Sequence, residues 1–226
     1  MRFAALDTAT STASVAILEG ERVLARTARA VQTHAQGLLE QLDEALRSSG
    51  LRLADVDAFV CGRGPGSFTG LRIGLATVKG ICLATGKPLL CVPTLQAFGG
   101  AAGDLLGPEP LVAVILDARR QELYCGLYRG GQPVGPEILS TPRGLSTYLG
   151  VGERLVLVGD GALRYRDLLL GSLPRASVGP EALHAIDAAY LARAALSRAL
   201  AGDFDDLAAA GPLYVRPADA RLPSPQ

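Results

Sequence analysis

The sequence has no tryptophan, one methionine, two histidines and two lysines, and its 22 basic residues are balanced by 22 acidic ones. Each shortage excludes something. His34 and His184 lack a His or Cys at ligand spacing, so no zinc site is legible. Zero net charge gives no overall positive field to hold nucleic acid unaided, because phosphate contacts dominate such affinity. The only lysines are Lys79 and Lys87, and every other base is Arg. Beside abundant Ala, Leu and Gly, that bias reads as base composition rather than function. The four cysteines, Cys61, Cys82, Cys91 and Cys125, form no Cys-x-x-Cys pair and lie in apolar runs. They are expected to be buried, reduced thiols of a cytoplasmic chain. The promising uncharged run 88–103 contains Pro93, Gly99 and Gly100, so no membrane span is expected from it. Asp7 comes too early for a signal-peptide apolar region. There is no Gly-x-Ser-x-Gly elbow and no Gly-Lys-Ser/Thr phosphate loop.

What is present is an ordinary globular composition. The 226 residues are 49% hydrophobic and 19% charged, enough for one large fold or two lobes of ~100 residues. Three short apolar runs, 2–6, 15–18 and 23–27, are closely joined and predict antiparallel strands, with a hairpin at Glu19-Gly20-Glu21. Leu38, Leu39, Leu42, Ala45 and Leu46 recur at helical spacing over 33–49, with Thr33 and Gln36 at capping-box spacing. A strand at 56–61 is followed by a helix over 70–85, a short strand ending at Val92, and a third helix capped by Thr94. Gly and Pro concentrate over 99–110, which predicts a linker. The pattern then restarts. Leu6-Asp7 and Leu116-Asp117 each lie 13 residues before a turn glycine, Gly20 and Gly130, at a common offset of 110. This reads as a duplicated strand–turn–strand opening. A strand at 154–158 and a helix over 180–201 follow, and the proline-rich tail is expected to fray.

Three segments carry chemistry-bearing residues. The turn after the first strand, Asp7-Thr8-Ala9-Thr10-Ser11, offers a carboxylate, hydroxyls and amides, which suit a phosphate or cation or simply a bonded turn. The loop Gly62-Arg63-Gly64-Pro65-Gly66-Ser67 lies before a helix, and its amides with Arg63 and Arg72 suit an anion. Equally, Gly70 and Gly74 share a helix face and permit close packing by another backbone. That helix is apolar nearly all round, which implies burial by its own fold or by a partner. Gly159-Asp160-Gly161 follows a strand and suits either a nucleotide approach or a plain turn. His34 and His184 read as surface or capping residues.

The segments LDTATSTASVAIL, GRGPGSFTGLRIGLATVKG, VPTLQAF, LDARRQELY and PLYVRPADA occur in that order. Together they resemble the TsaB family, also called YeaZ, over essentially the whole chain. GPGSFTGLRIG is the most specific part of the likeness. The resemblance implies an α/β, actin-like and Hsp70-like fold of two ribonuclease-H-like lobes with mixed sheets. These are expected over 1–103 and 111–226, with the last helix and tail returning to the first lobe. It also implies a part in making threonylcarbamoyladenosine next to the anticodon of tRNA. There TsaD transfers the threonylcarbamoyl group, TsaB is its required partner, and the ATPase TsaE joins them. The His-x-x-x-His metal motif of TsaD falls, by motif order, on Thr94 and Phe98. Hydroxyl and phenyl cannot replace two imidazoles. The resemblance therefore implies a non-catalytic subunit with no metal and no cofactor.

Two other readings stay open. In one, an actin-like phosphotransferase or ATPase uses Asp7, Asp117 and Gly159-Asp160-Gly161, and Asp7, Thr8, Ser11, Gly159, Asp160 and Gly161 form the candidate nucleotide site. The resemblance makes these a vestigial nucleotide site, because Thr8 stands where actin-like ATPases usually place Gly. The other is a metalloprotease, inherited from older labels of the family. The family's association helices map onto 33–49 and 70–85. Leu39, Leu42, Leu46, Leu71, Leu75 and Val78 are then the expected contacts, with Arg63, Gly64, Gly66, Ser67 and Arg72 as the adjoining loop. The implied partners are TsaD, TsaE and a second copy when alone, with tRNA reached only through the complex and no membrane.

Overall fold

The first strand, β1 (Arg2–Asp7), reads RFAALD, and every residue after Arg2 is buried. A continuous apolar run of this kind belongs to a strand covered on both faces. In the computed structural model, which describes residues 1–30, 34–149 and 154–215, helices cover both faces. β1 pairs antiparallel with β2 (Thr12–Glu19), from Arg2↔Glu19 to Asp7↔Ser14, and β2 pairs with β3 (Arg22–Ala30). Next come α1 (His34–Ser49), β4 (Ala58–Gly62), α2 (Phe68–Thr85) and β5 (Leu89–Val92). β4 is parallel to β1 and β5 is parallel to β4, giving the order β3-β2-β1-β4-β5.

After α3 (Thr94–Leu106) the same plan returns. Its elements are β6 (Leu111–Arg119), β7 (Glu122–Arg129), β8 (Gln132–Pro133), β9 (Ile138–Ser140), α4 (Pro142–Leu149), β10 (Leu155–Val158), α5 (Asp160–Arg164), α6 (Arg166–Ser172), β11 (Ala176–Val178) and α7 (Ala188–Leu200). The second sheet, read as β8-β7-β6-β10-β11, repeats the order and strand directions of the first, with β9 also on β7. The 110-residue offset is thus structural. Asp7 and Asp117 lie toward the ends of the central strands, and Gly20 and Gly130 turn the following hairpins. The molecule is an α/β fold of two mixed sheets.

Four apolar layers hold it together. Leu38, Leu42 and Ala45 of α1 and Leu75 and Val78 of α2 pack on Leu6, Val15, Ile17 and Phe59. The other face of the first sheet, with Phe3, Leu18, Val60 and Leu90, is covered by Leu191, Ala192 and Ala195 of α7. In turn Leu95, Phe98 and Ala102 of α3 cover Val112, Val114 and Leu116 of the second sheet. Leu145 of α4 and Leu169 of α6 close its far side over Ile115 and Leu157. Each half therefore lends a helix to the other's sheet.

Some expectations need correction. The linker does not begin at 99, because α3 runs to Leu106. Its glycines are packing residues. A Cβ on Gly99 would stand 2.3 Å from the Tyr128 ring, and one on Gly103 would stand 2.3 Å from the Gly131 amide. The last helix begins at Ala188 rather than 180, after a 3-10 turn at Glu181–Leu183. Asp187 caps it by accepting from the Ala189 amide at 2.9 Å. The Thr33/Gln36 capping box and most of the tail lie outside the described residues, as does the His34 side chain. All four cysteines are free and buried, and burial lifts the Cys82 and Cys91 thiols to about 11.

Candidate functional site

The glycine-rich loop and the first turn are folded onto each other. The Ser67 amide donates to the Ala9 carbonyl at 2.7 Å, and the Thr8 hydroxyl donates to the Gly70 carbonyl at 2.7 Å. The Ser67 hydroxyl caps α2 by accepting from the Gly70 amide. A Cβ on Gly66 would stand 2.3 Å from the Ala9 carbonyl oxygen, one on Gly70 2.1 Å from that of Thr8, and one on Gly74 2.2 Å from Thr8 Oγ1. These glycines let α2 approach the β1–β2 turn at backbone distance. The space where a phosphate cradle was expected is therefore filled by α2, and Thr8 is fully buried. Ser11, by contrast, is exposed at the rim.

Asp7 lies beneath this contact. Its carboxylate accepts from the Ala9 amide at 2.7 Å and from the Thr94 hydroxyl at 3.2 Å, and a Cβ on Gly62 would stand 1.9 Å from Oδ2. Burial pushes its pKa up to about 6, against the pull of those two hydrogen bonds. Thr94, at the start of α3, therefore completes a closed Asp7–Thr94 pair. One turn on, Phe98 is buried and packs edge-on against Tyr190 at 5.9 Å. The Thr94 hydroxyl is spent on Asp7 and cannot replace an imidazole, and Phe98 has no donor atom at all. The residues at this position do not fit a resident metal.

The second loop is likewise occupied by its own chain. The Gly159 amide donates to the Leu183 carbonyl at 2.7 Å, and a Cβ on Gly159 would stand 2.2 Å from the Ile115 carbonyl oxygen. Asp160 accepts from the Asp117 amide at 3.0 Å, and burial raises its pKa above the usual carboxylate range. A Cβ on Gly161 would stand 2.9 Å from the Leu116 carbonyl carbon. His184 corrects the surface expectation. It is buried, and its ring nitrogens lie 3.1 Å and 2.9 Å from the Gly159 and Gly179 carbonyl oxygens. Sequence gave no hint of this, because the partners are main-chain carbonyls. Apart from Ser11 at the rim, the residues expected at a nucleotide site fall into two groups, each hydrogen-bonded and packed internally. They do not fit a phosphate cradle.

The expected contact residues also divide. Leu42, Leu46, Leu71, Leu75 and Val78 are buried in the chain's own core, whereas Leu39 is 54% exposed. By length and composition alone α2 could cross a bilayer, yet Gly70, Leu71, Gly74, Leu75, Val78 and Cys82 turn inward. The outward face of α2 is formed instead by Phe68, Thr69, Arg72, Ala76, Gly80, Leu83 and Ala84. Leu83 is 74% exposed and Phe68 45%. Arg72 stacks over the Phe68 ring at 3.8 Å and donates to the Tyr214 hydroxyl at 2.9 Å. Arg63 tucks its Nε inside with no hydrogen-bond partner among the described residues. Period alone could not separate the two faces, because leucine and glycine occupy both.

Comparison with known proteins agrees with this architecture. The sequence model of the family described as TsaD, tRNA N6-adenosine threonylcarbamoyltransferase, matches residues 26–142. The solved structure of YeaZ from Pseudomonas aeruginosa is 30% identical, with a TM-score of 0.75 over 94% of this chain and 100% of that one. The chain belongs to the TsaB (YeaZ) family. TsaB from Haemophilus influenzae, named a tRNA threonylcarbamoyladenosine biosynthesis protein, is 43% identical over 53% of this chain and 50% of its own length. The chain thus matches about half the length of such curated relatives. The actin-like fold extends further. Component A of the (R)-2-hydroxyglutaryl-CoA dehydratase of Acidaminococcus fermentans, at 14% identity, covers 87% of this chain and 97% of its own with a TM-score of 0.59.

Proposed function

We propose that this TsaB-family chain is a non-catalytic partner subunit in threonylcarbamoylation of the adenosine next to the anticodon of tRNA, and that it supports a TsaD-type transferase. The observation that carries this reading is the state of positions 94 and 98. By the motif order that the resemblance gives, Thr94 and Phe98 take the places of the transferase's two histidines, and both are spent on the fold, one on Asp7 and the other on Tyr190. The reading of an independent phosphotransferase is weakened by the same geometry at the first turn, where α2 occupies the space beside Thr8 and Ala9.

The docking surface on this reading is the part of the outward face of α2 beyond Phe68 and Arg72, from Ala76 to Ala84, with Leu39 of α1. Small Ala76 and Gly80 permit close helix approach, and Leu83 supplies apolar area. The transferase family's own sequence model, over residues 26–142, takes in the end of β3 and all of α1 and α2 of this chain. A partner of that family therefore carries counterparts of both helices, and a helix pair on each side can form a four-helix contact. A second copy of this chain would use the same face when the transferase is absent. TsaE would join the assembled pair, and tRNA would be reached through it.

Reconstitution tests this. The cognate transferase, TsaE, the adenylate-forming synthase, ATP, threonine, bicarbonate and tRNA are combined with and without the chain, and modified adenosine is measured by mass spectrometry. Product should require the chain, and Leu83→Asp, on the outward face, should abolish complex and product while leaving the fold intact. Equal product without the chain would sink the proposal.

A further inference from the structure

The last described residues form a strap along α2. After α7, Asp205 makes an antiparallel bridge to Leu89, its amide donating to the Leu89 carbonyl and its carboxylate accepting from the Cys91 amide at 2.7 Å. Arg198 fixes Asp203 and Asp205 from α7. Leu207 and Ala210 then pack on the core under α2, and the Leu213 amide donates to the Arg63 carbonyl at 2.6 Å. Tyr214 ends the strap against Phe68, with ring centroids 5.2 Å apart.

This path meets every charge on the helix. In eighteen residues α2 has two charged side chains, Arg72 and Lys79. Lys79 donates to the Ala208 and Ala210 carbonyls at 3.4 and 3.1 Å. Arg72 is held by the Tyr214 hydroxyl and laid on the Phe68 ring. Both cations are thus drawn to an edge or an end of the helix, and the middle of the outward face keeps only Ala76, Gly80, Leu83 and Ala84. Burying an unpaired guanidinium against an apolar partner face would cost more than the contact returns.

We infer that the C-terminal strap is a positioning device, which holds the two cations of α2 aside so that the helix can dock the partner's apolar helix pair. This rests on the docking reading above and deepens it. Tyr214 acts through Arg72 rather than by touching the partner's core. Removing Tyr214 releases the guanidinium to sweep the face, and removing the charge as well restores docking.

A double-mutant cycle tests this, with binding to the full-length cognate transferase read by calorimetry and folding checked by circular dichroism. Tyr214→Ala should weaken binding by about tenfold or more. Arg72→Met should bind within about threefold of the parent, and Tyr214→Ala with Arg72→Met should return to within about threefold. If Tyr214→Ala proves poorly folded, Tyr214→Phe keeps the ring and deletes only the hydroxyl acceptor, and rescue by Arg72→Met is sought in that background. Parent-like binding by the Tyr214 variants, or a double variant as weak as the single one, overturns the strap. Leu83→Asp separates the two ideas. If it abolishes binding while the Tyr214 variants do not weaken it, docking on α2 stands and the strap falls. Unchanged binding by Leu83→Asp removes the docking reading itself.

Discussion

Asp7 is ionisable and wholly buried, and hydrogen bonds from Ala9 and Thr94 only partly offset its loss of water. The folded carboxyl titrates at about 6, above the 3.8 of an unperturbed aspartate. The folded state therefore takes up a proton between pH ~6 and ~4 that the unfolded chain does not, and stability rises as pH falls through that window. Above pH 6 the charge costs up to about 3 kcal/mol, at roughly 1.4 kcal/mol per unit. Asp7→Asn, neutral throughout, should be more stable than the parent at pH 7 and lose that advantage near pH 4. Urea unfolding at both pH values checks this, and parallel pH profiles would refute it. A second residue-scale feature is the β6–β7 turn, where Arg120 and Gln121 both adopt positive φ without a glycine. Gln121→Gly should raise stability by about 0.5–1 kcal/mol, measured by the same unfolding.

At the scale of the element, α2 holds glycines with opposite jobs. Gly70 and Gly74 face the first turn at distances no side chain tolerates, whereas nothing lies within 4 Å of a Cβ on Gly80. Gly80→Ala should strengthen the helix by about 0.5–1 kcal/mol. Gly70→Ala should destabilise by several times that amount, because the Thr8 carbonyl it strikes is fixed backbone. Thermal unfolding of both variants decides it, and equal effects would mean that α2 is not pressed onto the turn. The same division governs Leu71 and Leu83. Leu71→Asp should unfold the chain, since it places a charge in the core. Leu83→Asp should leave the melting curve near that of the parent. The helical period was legible in the sequence. Which side turned inward was not, because Gly-x-x-x-Gly marks close approach without naming the neighbour.

For the whole molecule, the exchange of α3 and α7 makes the two sheets interdependent. Residues 1–110 alone would leave Phe3, Leu18, Val60 and Leu90 without their cover from α7. A fragment of that length should fail to reach a native fold, and the full chain should unfold in one calorimetric transition with equal calorimetric and van't Hoff enthalpies. Two separate transitions would show that the lobes are independent.

The sequence by itself determined the order of elements in the first half, the duplicated opening, the family, and the absence of a histidine pair at 94 and 98. These are local matters of period, spacing and residue type. Tertiary structure alone decided that the glycine loop meets Thr8 and Ala9, that Thr94 bonds Asp7, and that His184 is a buried link between two carbonyls. It also decided which leucines of α1 and α2 remain outside, and that residues 203–215 cross back to the first half. Thr8 and Gly70 lie 62 positions apart and Asp7 and Thr94 lie 87 apart, and the partners in most of these contacts are backbone groups that every residue carries, so no side-chain pattern announces them.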